Sequence, residues 1–428
     1  MSPGPPRNLG VTRLSRAISR TFLSLRNRNF RLFFIGQLIS NTGNWLTNVA
    51  LVLLVLKITG SGLDVGLLAA FQFGPILILS AWAGAIADRS DKRHLLFVTQ
   101  SLEMVQSVCL AILAFMPHPP LAGLYGLAVF GGILLSFDNP LRRSFVSEMV
   151  VAEDIPNAVV LYSTIVNLSR VFGPALAGLL VVTVGYGWCF TIDAATYLAV
   201  LFCLYAMRPA ELRRRPPQPR TKGEVRQGMR YVMSMPLLWI SFVMLAAIGT
   251  LAYNFNVTLP LLVHDALHRT DVVYTVLYAV FGLGSVVSAM VVAHRALVRI
   301  RHIVFGAFAL GLTMLGLAFV PVVAAAIPAV FLVGMASILY STATTAMVQI
   351  ETTPDMRGRV LSLQTVLLMG TTPIGAPILG WLADATGGRT PIILGGIVCL
   401  IAATFGYYAA RRYVPGTGRR DDGRRLLG

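Results

Sequence analysis

The chain has 428 residues, of which 56% are hydrophobic and only 12% charged, and its formal net charge is +17. So apolar a composition excludes an ordinary soluble domain, because a soluble surface of this size needs far more charge. It places the chain in a lipid bilayer, where only helices and closed barrels pair all of their own backbone groups.

The apolar runs are too long, and alternate too little, for barrel strands, so the sequence predicts an all-α integral membrane protein. A spanning helix needs about 20 mostly apolar residues. Twelve runs meet this requirement, at residues 31–57, 64–87, 94–116, 121–146, 157–184, 187–207, 237–262, 272–294, 303–321, 324–349, 358–384 and 390–410.

A basic arm, residues 1–30, precedes the first span. It contains six arginines and no acidic residue. We expect it to lie along the membrane surface, where anionic headgroups attract basic residues. An organelle transit peptide has a similar composition and is the alternative interpretation.

Four amide side chains share one face of the first span. At 100° per residue they fall within about 60° of arc, and four amides facing lipid would be costly. They therefore face either a partner helix or a watery cavity, and both alternatives stay open. The four residues are Gln37, Asn41, Asn44 and Asn48.

A charged turn, Gly84 and Asp88-Arg89 followed by Lys92-Arg93, ends the second span. Gly84 and Asp88 are four residues apart and share one helix face. A carboxylate at this boundary can bind a helix N-terminus, whose free N–H groups carry about half a positive charge. Such a contact can hold one conformation closed; the alternative is a set of solvated loop charges.

Ionisable residues also occur inside spans, where they are costly and point to function. Arg170 lies about 21 Å into the fifth span at 1.5 Å per residue, too deep to reach the headgroups. We therefore expect it to pair with Asp138 or Asp193, either as a structural clasp or as a site that responds to protons. Glu103 in the third span is a further candidate for coupling to protons.

The same fifth span carries Gly173-Pro174 and Gly178 after Arg170. Glycine and proline at this spacing allow close helix approach and a bend. At an offset of 203 residues the second half carries Ala376-Pro377 in the corresponding place, which indicates two related halves.

Residues 208–236, rich in proline and arginine at their start, divide the spans six and six. We predict bundles at 31–207 and 237–411, joined by this cytoplasmic linker and followed by a basic tail at 412–428. In the second half, polar and aromatic side chains on the seventh and tenth spans are further cavity candidates. They are Tyr253, Asn254, Tyr340 and Thr344.

The basic residues are distributed unevenly about the membrane. With twelve spans both termini lie on one side, and 31 lysines and arginines fall on that side against 3 on the other. The positive-inside rule then places both termini in the cytoplasm. The net positive charge is explained by topology and headgroups, without nucleic-acid binding.

The charged turn resembles motif A of the major facilitator superfamily, with Asp91 where the family has a glycine. The stretch from Ser169 to Gly178 is similar to the family's antiporter motif. The resemblance covers the whole chain and implies two pseudo-symmetric six-helix bundles, a cavity lined by the first, fourth, seventh and tenth helices, and Asp88 as a gating carboxylate docking near Gly358. Short stretches such as Met356-Arg-Gly-Arg359 resemble the enterobactin-exporter and macrolide-efflux branch.

From this resemblance we expect a proton-coupled exporter of siderophore-like or amphiphilic drug-like molecules, working as a monomer in a bacterial inner membrane. A nutrient importer or uniporter, and a membrane receptor or scaffold, are the alternatives. No arginine is expected inside the fourth span, since Arg142 and Arg143 come only at its inner end. The sequence shows no nucleotide-binding loop and no metal-ligand spacing, so we expect no enzyme activity, cofactor or metal.

Overall fold

The computed structural model describes residues 23–213, 224–293 and 299–413. Twelve helices or helix pairs in these ranges are long and apolar enough to cross a membrane, as the sequence predicts. The first six spans are single helices: α1 (Arg28–Thr59), α2 (Gly62–Arg89), α3 (Lys92–Ala114), α4 (Leu121–Val146), α5 (Ile155–Thr183) and α6 (Tyr186–Ala206).

A helix within the predicted linker, α7 (Glu224–Ser234), precedes the second set of spans. That set is formed by α8 (Pro236–Leu251) with α9 (Phe255–Leu261), α10 (Asp271–Ala293), α11 (Ile300–Ala318), α12 (Val323–Glu351), α13 (Pro354–Met369) with α14 (Thr372–Thr386), and α15 (Thr390–Tyr413).

Local chemistry explains where the second and third spans begin. Gly60 adopts a left-handed conformation with φ 63°, which ends α1, and the Ser61 side chain then accepts a hydrogen bond from the Asp64 backbone N–H. Asp91 caps α3 in the same way by accepting from the His94 N–H at 3.2 Å. A short polar side chain such as that of Asp91 is suited to an N-cap.

The seventh and eleventh spans are each interrupted, which the apolar pattern did not predict. The seventh breaks between α8 and α9, where Asn254 leaves the helical conformation. The eleventh breaks at Gly370, between α13 and α14. The two interrupted spans lie side by side, since a Cβ added at Gly249 would lie 2.6 Å from the carbonyl oxygen of Leu367.

Apolar packing divides the molecule into two halves that share a core only in part. The largest cluster contains residues of both halves, such as Leu68 of α2, Leu261 of α9 and Ala376 of α14. A second cluster, around Phe33 and Phe145, belongs to the first half alone. We call the end of the molecule where α1 begins the basic end, and the other end the far end.

The linker helix α7 packs against the start of the eleventh span. The Thr353 backbone N–H donates to the Tyr231 hydroxyl at 3.2 Å, and Arg359 donates to Gln227 at 2.6 Å. The rest of the predicted linker between residues 214 and 223, the arm up to residue 22 and the tail from residue 414 lie outside the described residues. The predicted domain boundaries stay a prediction.

Candidate functional site

The two halves are joined directly at the far end, where α2 begins and α14 ends. The Asp384 carboxylate accepts hydrogen bonds from the backbone N–H groups of Gly62 at 2.5 Å and Leu63 at 2.9 Å, and from the Ser61 hydroxyl at 3.0 Å. A Cβ at Gly62 would lie 2.7 Å from the Gly380 carbonyl oxygen, so the helices touch backbone to backbone. Asp384 therefore caps a helix of the opposite half.

A second link joins the halves at the far end. The Tyr186 hydroxyl of α6 donates to the Asp271 carboxylate of α10 at 2.5 Å, and His264 is 2.9 Å from the other carboxylate oxygen. Lys57 lies 5.0 Å over the Tyr186 ring. Asp271 thus joins both halves, and His264 belongs to this contact rather than to a free loop.

The hydrogen bonds that join the two halves through described residues lie at the far end. A Cβ at Gly358, the predicted docking point of the gating carboxylate, would meet no atom within 4 Å. The Asp88 backbone lies in the last turn of α2, but its side chain lies outside the described residues, so its docking stays a prediction.

The basic residues of the charged turn bind within the first half. Lys92 forms a 2.5 Å ion pair with Glu148, and both side chains are largely buried. Arg93 donates to the carbonyl oxygens of Leu204 and Tyr205, the last turn of α6. These contacts tie α3 to the ends of α4 and α6. Of the other two predicted turn residues, Arg89 is exposed and Gly84 half-buried.

A buried ion-pair cluster lies inside the first half, and its centre is Arg142. The guanidinium pairs with Asp138 one turn earlier on α4 and lies 3.4 Å from Glu103 of α3. It also donates to the Gln37 side chain at 2.7 Å. Gln100 donates to Asp138 and to Glu103, each at 2.8 Å.

Arg142 lies where the sequence placed it, at the inner end of the fourth span and one turn before α4 ends at Val146. The sequence did not predict that its side chain is buried among polar partners, with only 3% of it exposed. Pro140 sits inside this helix without ending it.

The predicted pairing of Arg170 with Asp138 or Asp193 is wrong. Asp138 is bound to Arg142, and Asp193 accepts hydrogen bonds from Thr47 at 2.8 Å and Ser107 at 2.7 Å. Asp193 is fully buried in the first half, held by hydroxyl groups alone. The coupling roles predicted for Asp138, Asp193 and Glu103 stay predictions.

Arg170 instead lies between the halves, with its guanidinium 5.4 Å from the Trp45 ring. The small residues after it act as the sequence indicated. A Cβ at Gly173 would collide with Trp45, and one at Gly178 would collide with Thr275 of α10. Pro174 is buried next to Gly173 within α5. The antiporter-like stretch thus allows α5 to approach one helix from each half.

The amides of the first span mostly contact partner helices. Gln37 is buried against Arg142, and Asn41 lies 3.4 Å from the same guanidinium. Asn44 accepts from the Tyr197 hydroxyl at 2.7 Å, and Asn48 lies 3.4 Å from Gln72. Of the two alternatives, contact with partner helices describes this conformation.

The cavity candidates of the second half are mostly enclosed. Tyr340 and Thr344 are fully buried and Asn254 is 2% exposed, so none of them presents a free surface in this conformation. Tyr253 is half-buried and donates to the Ser337 carbonyl oxygen at 2.5 Å. Any role of these residues in a cavity stays a prediction that requires the halves to move.

Sequence reasoning missed four residues that the structure brings into contacts: Arg142, Gln100, Asp271 and Asp384. Gln100 and Arg142 each lie at helical spacing from apolar residues of the same span. A helical-wheel plot would show this signal. Asp384 and Asp271 sit at span ends, where a carboxylate reads as a solvated loop residue. Their partners are backbone groups and a tyrosine from the other half, which no pattern along the chain reveals.

A family model described as a transmembrane secretion effector matches residues 19–416. The staphyloferrin A transporter of Staphylococcus aureus is 25% identical over 392 residues, which cover 89% of this chain and 96% of that protein. The enterobactin exporter EntS of Escherichia coli O1:K1 is 26% identical over 389 residues, which cover 87% of this chain and 91% of the exporter.

Two solved structures share the fold. A bacterial homolog of the human lysosomal transporter Spinster, in an inward-facing and unoccupied conformation, has a TM-score of 0.71 at 15% identity and covers 90% of this chain and 97% of that one. A POT family transporter in complex with 5-aminolevulinic acid has a TM-score of 0.74 at 12% identity and covers 90% and 96%. At these identities the likeness concerns architecture alone.

Proposed function

The chain belongs to the transmembrane secretion effector family of the major facilitator superfamily, and on that premise we propose that it is a proton-coupled exporter of siderophore-like organic molecules. It is a multi-pass membrane transporter, and the bacterial inner membrane is its proposed location. The observation that carries the coupling is the buried cluster of the first half, in which one guanidinium serves two carboxylates.

Orientation follows from charge. The sequence assigns 30 lysines and arginines, leaving out Arg142 inside α4, to the predicted cytoplasmic side and 3 to the other side. From the positive-inside rule we infer that the basic end faces the cytoplasm, with both termini on that side. We propose that the conformation joined at the far end is the one that receives cargo from the cytoplasm.

Proton coupling requires a group that changes protonation between the two facing states. The polar interior of the first half holds three carboxyl groups, Glu103, Asp138 and Asp193, and one guanidinium, Arg142. Low-dielectric surroundings oppose a net positive charge. Three carboxyl groups and one guanidinium can take up a proton without acquiring such a charge. Protonation of Asp138 or Glu103 would weaken its pairing with Arg142 and free the guanidinium to change partners.

Gating requires a second closure at the basic end. When the far end parts, the halves would approach each other near α2 and α13. Asp88, in the last turn of α2, would then reach the N-terminus of α13, where free N–H groups favour a carboxylate. Alternating use of the two closures would expose the cleft to one side at a time.

The cargo class is supported by the relatives. A protein 25% identical over nearly the whole chain is a staphyloferrin A transporter, and one 26% identical is an enterobactin exporter. An exporter is favoured over an importer because the stretch from Ser169 to Gly178 resembles the antiporter motif and one relative is an enterobactin exporter. In this proposal the transporter needs no cofactor and works as a monomer. The proton gradient would provide the energy for transport.

Transport of labelled enterobactin or staphyloferrin A into inside-out vesicles tests the proposal. We expect accumulation that requires an acidic lumen and collapses when a protonophore is added. Equilibration to equal concentrations without dependence on the gradient would instead identify a uniporter. No movement of either siderophore, in vesicles that contain the folded protein, would contradict siderophore export.

A further inference from the structure

Arg170 lies in the middle of α5 at the boundary between the halves. A Cβ at Gly282 of α10 would be only 3.0 Å from the Arg170 carbonyl oxygen, so the two helices touch at this level. From here toward the far end α5 and α10 stay in contact, since Gly178 packs on Thr275. Arg170 therefore lies at a level where α5 and α10 are in contact across the boundary between the halves.

The Arg170 guanidinium has no anionic partner among the described residues. Its Nε is buried without a hydrogen-bond acceptor, and the two carboxylates predicted to pair with it, Asp138 and Asp193, are bound to Arg142, Thr47 and Ser107. A cation at membrane depth is costly unless an opposite charge or a set of acceptors compensates it. Protein groups do not supply that compensation in this conformation.

The Trp45 ring contacts the cation without using its hydrogen-bond donors. Trp45 lies against the guanidinium and is itself 6.1 Å from the Tyr278 ring. The Tyr253 and Tyr278 hydroxyls donate elsewhere, to the Ser337 carbonyl oxygen and to Asn256. A guanidinium in contact with a ring face still presents its N–H edge, which matches the two oxygens of a carboxylate.

We propose that Arg170, with Trp45, is a recognition site for an anionic group of the cargo, so that the cargo is an amphiphilic organic anion. The site rests on the proposed export function and narrows its substrate class. Trp45 is half-buried and would contact the apolar or aromatic part next to the anion. The guanidinium edge would bind the anion itself.

Equilibrium binding to the purified full chain in detergent micelles tests this site with two probes of equal shape. The probes are naphthalene-2-carboxylate and the neutral naphthalene-2-carboxamide, measured by calorimetry. A charge-assisted pair should make the carboxylate bind roughly tenfold more tightly than the amide. We expect Arg170→Gln to abolish this preference. Arg170→Lys should retain part of it, because an ammonium keeps the charge but loses the two-pronged geometry.

Arg143→Gln is the matched control, since it removes the same charge from an exposed position one helix away, and it should keep the wild-type preference. Equal affinity for the two probes in the wild-type protein, or an unchanged preference in Arg170→Gln, would overturn the proposal. If Arg170→Gln does not fold, an unreduced preference in Arg170→Lys would overturn it too. Siderophore transport without any carboxylate preference would remove the anion site and leave the export proposal intact.

Discussion

Arg142 is the residue on which the polar interior of the first half depends. Its guanidinium is bound to Asp138, Glu103 and Gln37, side chains of three different helices, and all four are buried. Without Arg142, each of these three side chains would be a buried polar or charged group that has lost a partner. One arginine thus neutralises two carboxylates and fixes the position of α1, α3 and α4 relative to one another.

Replacing Arg142 with methionine should destabilise the protein by about 3–5 kcal/mol, because two buried carboxylates lose their counter-ion. Thermal unfolding of the purified protein in detergent measures the change in stability. The triple change Arg142→Met, Asp138→Asn and Glu103→Gln removes the charges together and should recover much of the loss. Arg143→Gln, on the exposed side of α4, should leave stability unchanged. An Arg142→Met protein as stable as wild type would contradict a central role for this ion pair.

The two arginines also show what a sequence can and cannot predict about a site. Arg170 was recognised as an intramembrane cation from its depth in the fifth span alone, and the structure keeps it there. Its partner was predicted wrongly because distance along a helix fixes depth but not which helices face each other. Arg142 lies four residues after Asp138 within the predicted fourth span, a helical spacing that indicates a pair.

Two helices of the chain end in the same short pattern. The second span ends in Gly84-Ala-Ile-Ala-Asp88 and the eleventh in Gly380-Trp-Leu-Ala-Asp384. The glycine of the second pattern contacts Gly62 backbone to backbone, and its carboxylate caps α2. The pattern at the basic end therefore has a counterpart at the far end, and α2 and the eleventh span each carry one copy.

Replacing Asp384 with alanine should weaken the far-end closure. Loss of an N-cap costs about 1 kcal/mol, which shifts an equilibrium between two conformations roughly fivefold. Spin labels at His118→Cys and Val322→Cys, exposed positions in far-end loops of the two halves, report the separation by pulsed electron resonance. We expect Asp384→Ala to increase the population with the longer distance.

Asp384→Asn should change the distances less, because its amide oxygen still accepts from a backbone N–H. Asp265→Ala removes an exposed carboxylate at the same end and serves as the control. We expect Asp265→Ala to keep the wild-type distance distribution. If Asp384→Ala kept it too, the cap on α2 would not hold the far end closed.

The span positions could be predicted from the sequence because apolar length is a property of each segment alone. The first span begins at Arg28 and the twelfth ends at Tyr413, each within three residues of the predicted bounds. The breaks at Asn254 and Gly370 could not be predicted in the same way. Both lie within apolar runs, and the backbone departs from a helix there because the seventh and eleventh spans pack closely together.

At the scale of the whole molecule, the two halves divide the tasks of transport. The first half contains the buried carboxylates, Arg142 and Arg170. The second half supplies Asp384 and Asp271, which hold the far end closed. Under the proposed mechanism, protonation in the first half changes how the halves meet, and Arg170 lies at their boundary.

In the proposed mechanism, cargo leaves the cytoplasm in exchange for protons bound by the polar interior of the first half. Inside-out vesicles with an acidic interior and an external pH indicator test it most directly, with enterobactin or staphyloferrin A added outside. Wild-type protein should release protons on addition of cargo, and Asp138→Asn combined with Glu103→Gln should abolish the release. Glu211 is an exposed carboxylate paired with Arg208, and the Glu211→Gln variant should release protons as the wild type does. Cargo uptake without proton release in the wild-type protein, or unchanged release in the double variant, would contradict the account.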